Sequence, residues 1–285
     1  MARRVAIVTD STAYLPPELA REQQIAVLPV QVIISGKPYL EGVDISTEQV
    51  ASALREWKAV STSRPSPASF ATAYQQAADS GADSVVSAHL SSDLSGTYQM
   101  AMLAAKESPI PVQVVDSRTL AMALGYSVLT GADVADAGGS AEEVAAAVSA
   151  RAARTKLLFY VDSLEYLRRG GRMGSAAAAF GGALRIKPIL HVHDGRVQLL
   201  EEARTAAKAL ARLADLAVEA ADGSGSERVV DVAVGHIDAG DRADQLADSL
   251  RKRLPGAVVM VGEIGAVVGT HVGPGMVSVV VAPRV

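Results

Sequence analysis

A cluster of hydroxyls and one glycine, Ser91-Ser92-Asp93-Leu94-Ser95-Gly96-Thr97-Tyr98, is the first place in this chain where residue types and spacing suggest chemistry. The apolar run before it, Ser84 to Leu90, reads as a buried strand. The alanine-rich segment after it, Gln99 to Lys106, reads as a helix. The cluster therefore stands where a strand hands over to a helix N-terminus. Backbone N–H groups there lack partners inside the helix, and the helix dipole favours negative charge. A small anion is the natural ligand. Plain N-capping by Ser92 or Ser95 accounts for the same residues.

A second signal is Gly265-Ala266-Val267-Val268-Gly269-Thr270-His271-Val272-Gly273-Pro274-Gly275. Its glycines permit positive φ angles and close backbone approach. Thr270 and His271 sit among them, either as site residues or as satisfied members of a tight connection into a last strand. A third is Leu164 to Arg172, where Arg168, Arg169 and Arg172 flank two glycines. Three arginines suit an anion or a partner's acidic surface, and equally a solvated helix end that complements the dipole. His191 and His193 fall on one face of a strand. A metal would need a further ligand, and there is no H-E-x-x-H, so no metal site is assigned. Ser95 with His271 could form a hydrolase pair, but the chain has no G-x-S-x-G elbow. It also has no phosphate-binding G-x-x-x-x-G-K-[ST] and no G-x-G-x-x-G, so the chain is not expected to bind nucleotide itself.

These residues need a scaffold, and 285 residues suffice for one large domain or two modest ones. With 49% hydrophobic and 20% charged residues, the composition is that of a well-packed globular protein. A net charge of −4 gives no reason to expect nucleic-acid or membrane-surface binding. The absence of cysteine excludes disulfides and thiol nucleophiles. The first residues lack the apolar core of a signal peptide, and no run approaches the ~18 apolar residues of a membrane span. A cytoplasmic protein without stable membrane insertion is expected. Aromatics are only 4%, so small aliphatic side chains fill the interior and could leave room for a long apolar ligand. A codon bias towards Ala, Gly and Val produces the same composition.

Strand and helix patterns alternate in the first half. Val5 to Val8 ends at Thr9-Asp10-Ser11, and Pro16-Pro17 opens a short helix. Ile25 to Ile34 is β-branched, and Thr47 caps a helix through Val50, Leu54 and Trp57. Thr62 to Pro67 reads as a loop before another helix, and Val112 to Val115 as a strand whose end, Asp116-Ser117-Arg118, caps the next helix. This alternation predicts a parallel sheet covered by helices, with ligands at the carboxyl ends of its strands. Three hydroxyl-bearing strand ends, Thr9 to Ser11, Ser91 to Thr97 and Asp116 to Arg118, strengthen the case for a site. Ser140 and Glu143 form a capping box. Later, Ile186 to Leu200 reads as a hairpin around Asp194-Gly195, and Asp222 to Ser226 as a loop. The expected architecture is α/β in two domains. Residues 1–158 form a mostly parallel sheet with flanking helices, and residues 159–285 a mixed sheet with helices.

Taken together, these pieces resemble the DegV family of bacterial lipid-binding proteins. The resemblance rests on Val8-Thr9-Asp10-Ser11, Thr62-Ser63-Arg64-Pro65-Ser66, the 91–98 run, Val115 to Arg118, and Leu164 to Arg172. It continues through Lys187 to Leu190 with Asp194-Gly195, Ala203-Arg204-Thr205 and Gly269 to Gly275. The set is collinear over nearly the whole chain. One position departs: the family usually has glutamine where this chain has Arg64. The resemblance implies a long-chain fatty acid whose tail lies in a buried tunnel, with no other cofactor. Its carboxylate would be held by Thr62 and Ser95, with His271 in the same polar network and Ser63, Gly96, Thr97 and Thr270 beside them. It further implies that the protein is not itself an enzyme. It would present the fatty acid to a separate ATP-dependent kinase that makes an acyl phosphate for phospholipid synthesis. Arg168, Arg169 and Arg172 are then expected to serve that protein partner. The alternative is a self-sufficient serine hydrolase acting on an acyl substrate through Ser95 and His271.

Overall fold

The computed structural model describes residues 3–174, 186–223 and 229–284. In chain order the elements begin with β1 (Val5–Asp10), a 3-10 turn (Ser11–Ala13), α1 (Pro17–Glu22), β2 (Ile25–Leu28), β3 (Gln31–Ile34), β4 (Lys37–Leu40) and α2 (Thr47–Arg55). Then come β5 (Val60–Ser63), α3 (Pro67–Asp79), β6 (Ser84–His89), α4 (Thr97–Ala105), β7 (Val112–Asp116), α5 (Met122–Asp136) and α6 (Ala141–Arg154). The remainder is β8 (Lys156–Tyr160), α7 (Glu165–Arg169), β9 (Lys187–His193), β10 (Arg196–Ala203), α8 (Ala206–Asp222), β11 (Val230–His236), α9 (Gly240–Arg253), β12 (Val258–Glu263), α10 (Ala266–Val272) and β13 (Val277–Pro283). The α/β class expected from the alternation is the one observed. Part of the loop expected at Asp222 to Ser226 lies outside the described residues.

The chain divides into two compact units. The first comprises Met1–Gln31 and Ser63–Ala153, the second Val32–Thr62 and Arg154–Val285. A cut at residue 158 would leave 32–62 in the N-terminal half, whereas its contacts place it with the second unit. The physical reason is a set of hydrogen bonds spanning more than two hundred residues. The buried Glu41 carboxylate accepts from Val267 N–H at 2.7 Å, and Thr47 Oγ1 donates to Ile264 O at 3.1 Å. Glu41 thus satisfies an orphan donor at the first turn of α10, where negative charge also suits the dipole.

In the first unit, β2-β1-β6-β7 form a four-stranded sheet with every pairing parallel. Val8, Val85, Phe70, Tyr74 and Ala101 make one apolar cluster that joins this sheet to α3 and α4. In the second unit, β10-β9-β8-β13-β11-β12 form a mixed sheet in which only β11 and β12 run parallel. Leu158, Ile189, Val232 and Val279 on its strands bury against Leu213 and Ala217 of α8 and Leu246 and Leu250 of α9. The β9–β10 hairpin turns at Asp194 and Gly195, with φ of 47° and 78°, the primed turn that this dipeptide favours. The segment 31–63 carries a small sheet, β4-β3-β5.

Several local expectations change. Ser46, not Thr47, caps α2: it accepts from Gln49 N–H while Gln49 Oε1 accepts from Ser46 N–H, and the helix stops at Arg55 before Trp57. Asp116 does not cap α5, which starts six residues later. The capping box at the start of α6 is present, with Ser140 N–H donating to Glu143 at 2.8 Å and Glu143 N–H to Ser140 at 3.3 Å.

Candidate functional site

In the first unit the hydroxyl cluster is the loop between β6 and α4. Ser95 N–H donates to Ser91 O at 3.1 Å, which tightens the turn. Gly96 is the N-cap residue of α4, which starts at Thr97, and as a glycine it offers no side-chain cap. Ser95 Oγ lies 2.9 Å from Thr97 Oγ1 and accepts from Thr97 N–H at 3.3 Å. Ser92 instead turns towards β7, where its N–H and hydroxyl both donate to the Asp116 carboxylate. Arg118 N–H donates to the same carboxylate at 3.0 Å. On the other side, Asp10 at the end of β1 accepts from Leu90 N–H at 3.1 Å. The three hydroxyl-bearing strand ends are thus unequal: the carboxylates of the outer two brace the middle one, which carries Ser95. Arg64 lies over that loop, with its Cδ only 3.0 Å from where a Cβ on Gly96 would stand.

Beneath the loop is a buried polar chain that the sequence does not announce. Asp10 accepts from Thr12 N–H and Oγ1 as well as from Leu90. Its Oδ2 meets His89 Nδ1 at 3.0 Å, His89 Nε2 meets Ser87 Oγ at 2.7 Å, and Tyr74 donates its hydroxyl to Ser87 at 2.9 Å. A carboxylate only accepts, so the assignment that satisfies every donor has His89 Nδ1–H donating to Asp10 and Ser87 donating to Nε2.

In the second unit Thr62 and His271 meet: Thr62 Oγ1 lies 2.9 Å from His271 Nε2. Neither is on a loop as expected. Thr62 is in β5, with Ser63 as its last residue, and His271 is in α10. The glycines that made 265–275 read as a loop sit mostly at its ends: Gly265 precedes the helix and Gly273 ends it with φ 74°. A Cβ on Gly273 would fall 2.1 Å from the Tyr166 ring, so the close approach of α10 to α7 requires glycine. Thr270 is buried and donates its hydroxyl to Ala266 O within the helix.

His271 Nδ1 is buried without a hydrogen-bond partner, pressed against Gly170, where a Cβ would come within 2.2 Å of it. Burial, and secondarily the nearby Arg172 charge, push the imidazole down to about 4. The ring is therefore neutral at pH 7. A lone pair is the cheaper occupant of an unpartnered apolar contact, so the proton is assigned to Nε2, donating to Thr62 Oγ1. The Thr62 hydroxyl hydrogen is then left to donate elsewhere.

Arg168 and Arg169, on α7, both bond Glu165, at 2.8 and 2.6 Å. Those two guanidiniums, Arg168 first, hold the Glu165 carboxyl down at about 2. Arg172 donates to Gly170 O at 2.6 Å. His191 and His193 stack with ring centroids 5.4 Å apart, and burial lowers the former's basicity. Among the described residues no cluster of His, Asp or Glu could hold a metal, and no helix is long and apolar enough to cross a membrane. Gly170, Tyr166 and Glu41 are site-building residues that sequence reasoning missed. Only the glycine pair beside the arginines gave a hint.

A DegV domain-containing protein of Streptomyces coelicolor is 50% identical over 285 residues, 100% of both chains. A solved structure of a DegV family protein from Thermus thermophilus, described by its fatty acid binding, superposes with a TM-score of 0.91 at 33% identity, over 99% of this chain and 100% of that one. DegV of Bacillus subtilis, described as a fatty acid binding protein, also gives 0.91, at 30% identity and the same coverage. The family described as "Uncharacterised protein, DegV family" matches residues 4–284, and the chain belongs to it.

Proposed function

We propose that this protein binds a long-chain fatty acid noncovalently, its tail in a buried tunnel, and presents the carboxylate to a separate ATP-dependent kinase in the cytoplasm. The observation that carries the reading is the Thr62–His271 hydrogen bond. With a neutral His271 donating into Oγ1, the Thr62 O–H is aligned as a donor for an anion. A hydroxyl holds a carboxylate without neutralising it, so the oxygen stays nucleophilic towards a phosphoryl group. Ser95, Ser63, Gly96 and Thr97 are proposed as ligands of the same fatty acid on the family resemblance. Thr270 is proposed to act by supporting α10. The fatty acid binding described for the Thermus and Bacillus proteins supports the same ligand class.

Magnitudes favour a carrier in which the tail sets affinity. Roughly fifteen methylenes at ~0.8 kcal/mol each give a gross ~12 kcal/mol, more than a head group held by neutral donors contributes. Ordering the tail offsets part of it. The hydroxyls therefore set orientation. Ser95 Oγ is engaged by Thr97, and His271 Nε2 by Thr62. These partners suit binding rather than a serine–histidine nucleophile. Arg168, Arg169 and Arg172 are proposed to meet the kinase.

Mass spectrometry of lipid extracted from the purified protein tests the reading, with a free fatty acid near stoichiometric amount expected. A lipid-free preparation that also refuses added fatty acid overturns it. Thr62→Val, Ser95→Ala and His271→Ala should lower kinase-coupled acyl-phosphate formation strongly while tail burial preserves part of the lipid occupancy.

A further inference from the structure

The C-terminal end of α2 closes with two reverse hydrogen bonds, Lys58 N–H to Ala53 O at 3.0 Å and Trp57 N–H to Leu54 O at 3.1 Å. This pairing needs one residue in the left-handed conformation, a place normally taken by glycine or asparagine. Here it is Trp57, with φ 57°. A bulky ring there crowds the backbone and costs stability. Nor does the ring repay that cost by packing inside: Trp57, the chain's single tryptophan, is 67% exposed. One ring face is covered by the Arg169 guanidinium, 4.5 Å from the centroid. Arg169 and Arg168 share the single carboxylate of Glu165, so the cluster beside the ring carries surplus positive charge.

Strained, exposed and stacked on a cation, this tryptophan has the composition of an interface anchor, since Trp and Arg dominate binding hot spots. Two macromolecular occupants are conceivable. Anionic lipid needs several unpaired basic residues. Around Trp57, Lys58 pairs with Glu56 at 2.7 Å and Arg55 pairs with Asp238, which leaves little net charge for a membrane. A protein surface offering one or two carboxylates matches what remains. We propose that Trp57, stacked on Arg169, anchors a docking surface for an acidic face of a partner protein. The inference rests on the carrier reading above, which makes that partner the kinase subunit.

The single tryptophan supplies the test. Full-length protein grown with 5-fluorotryptophan gives one fluorine resonance, and the probe is the unlabelled ATP-binding kinase subunit from the same genome. Its addition should shift or broaden that resonance, whereas vesicles of equal parts phosphatidylglycerol and phosphatidylcholine should not. Trp57→Gly relieves the backbone, so it should leave Tm equal or higher and fatty acid occupancy unchanged, yet weaken association about tenfold or more. Trp57→Phe should recover part of the loss. A Trp57→Gly protein that binds the kinase subunit as wild type does overturns the proposal, as does a resonance that responds to vesicles alone. If the wild-type protein neither binds the kinase subunit nor supports turnover, the carrier reading itself fails and takes this inference with it. That failure is distinguishable because it appears without any substitution.

Discussion

The Asp10 carboxylate and the His89 imidazole meet at 3.0 Å with neither side chain exposed to solvent. The pair lies at the adjoining ends of β1 and β6, immediately before the loop that carries Ser95. Asp10 also accepts from Thr12 and from Leu90 N–H. One buried carboxylate therefore fixes two loop starts together, and no water replaces a bond that it loses.

Asp10→Asn puts an amide N–H where an acceptor is needed and leaves at least one buried donor facing it. The expected loss is about 3–5 kcal/mol, that of breaking a buried charged network from one side. Tyr74→Phe removes only the outermost donor and should cost about 1 kcal/mol. Urea unfolding of both variants checks this order. Equal losses would mean that the chain is not anchored at Asp10.

Gly170→Ala separates two effects of opposite sign. Gly170 has φ −71°, a helical value at which alanine is ordinarily the better residue by up to about 1 kcal/mol. The added methyl, however, would stand 2.2 Å from His271 Nδ1. If His271 is held as described, the variant should be destabilised by about 1–3 kcal/mol and should bind fatty acid in a less defined orientation. A gain in Tm with unchanged kinase-coupled turnover would show that the histidine has room to move.

The depressed basicity of His271 predicts a pH dependence. The unfolded chain takes up the proton near 6.5 and the folded one only near 4. Between these values the unfolded state binds more protons, so stability falls as pH is lowered through this window and the loss levels off below it. The full loss is on the order of 3 kcal/mol. Urea unfolding of wild type and His271→Gln from pH 7 to pH 4 measures it, since other groups titrate in both. The wild-type advantage should shrink by about that amount, and a constant difference would contradict the burial of the ring.

The sequence carried the sheet pattern and the hairpin because those signals are local. Asp194-Gly195 needs only its own two backbone angles, and β–α alternation needs only hydrophobic periodicity. It misled where tertiary contacts overrode propensity. Residues 266–272 include Val267, Val268, Gly269 and Thr270, weak helix formers, yet they form α10 because they are buried and Glu41 caps the first turn from far along the chain. Family motifs group Thr62 with His271, and the hydrogen bond between them lies beyond any local pattern. The assignment of 32–62 was equally illegible, since it depends on Glu41, Thr47 and Thr62 finding partners more than two hundred residues away.

Arg64, the departure from the usual glutamine, gives the last prediction. Its side chain lies against Gly96 at the start of α4. A positive charge beside a helix N-terminus is unfavourable by about 0.3–1 kcal/mol when nothing negative is present. A bound carboxylate reverses the sign, because guanidinium and dipole then act on the same anion. Arg64→Gln should therefore leave the empty protein equally or slightly more stable and weaken fatty acid binding a few-fold, no more, because Arg64 is exposed and screened by solvent. The effect should fade as salt is raised. It should also be absent for a fatty alcohol of the same length, which offers the same tail but brings no charge. Titrating wild type and Arg64→Gln with acid and alcohol at low and high ionic strength separates these contributions. Equal losses for both ligands would mean that Arg64 shapes the rim sterically, and no loss for the acid would mean that the carboxylate is held away from Gly96.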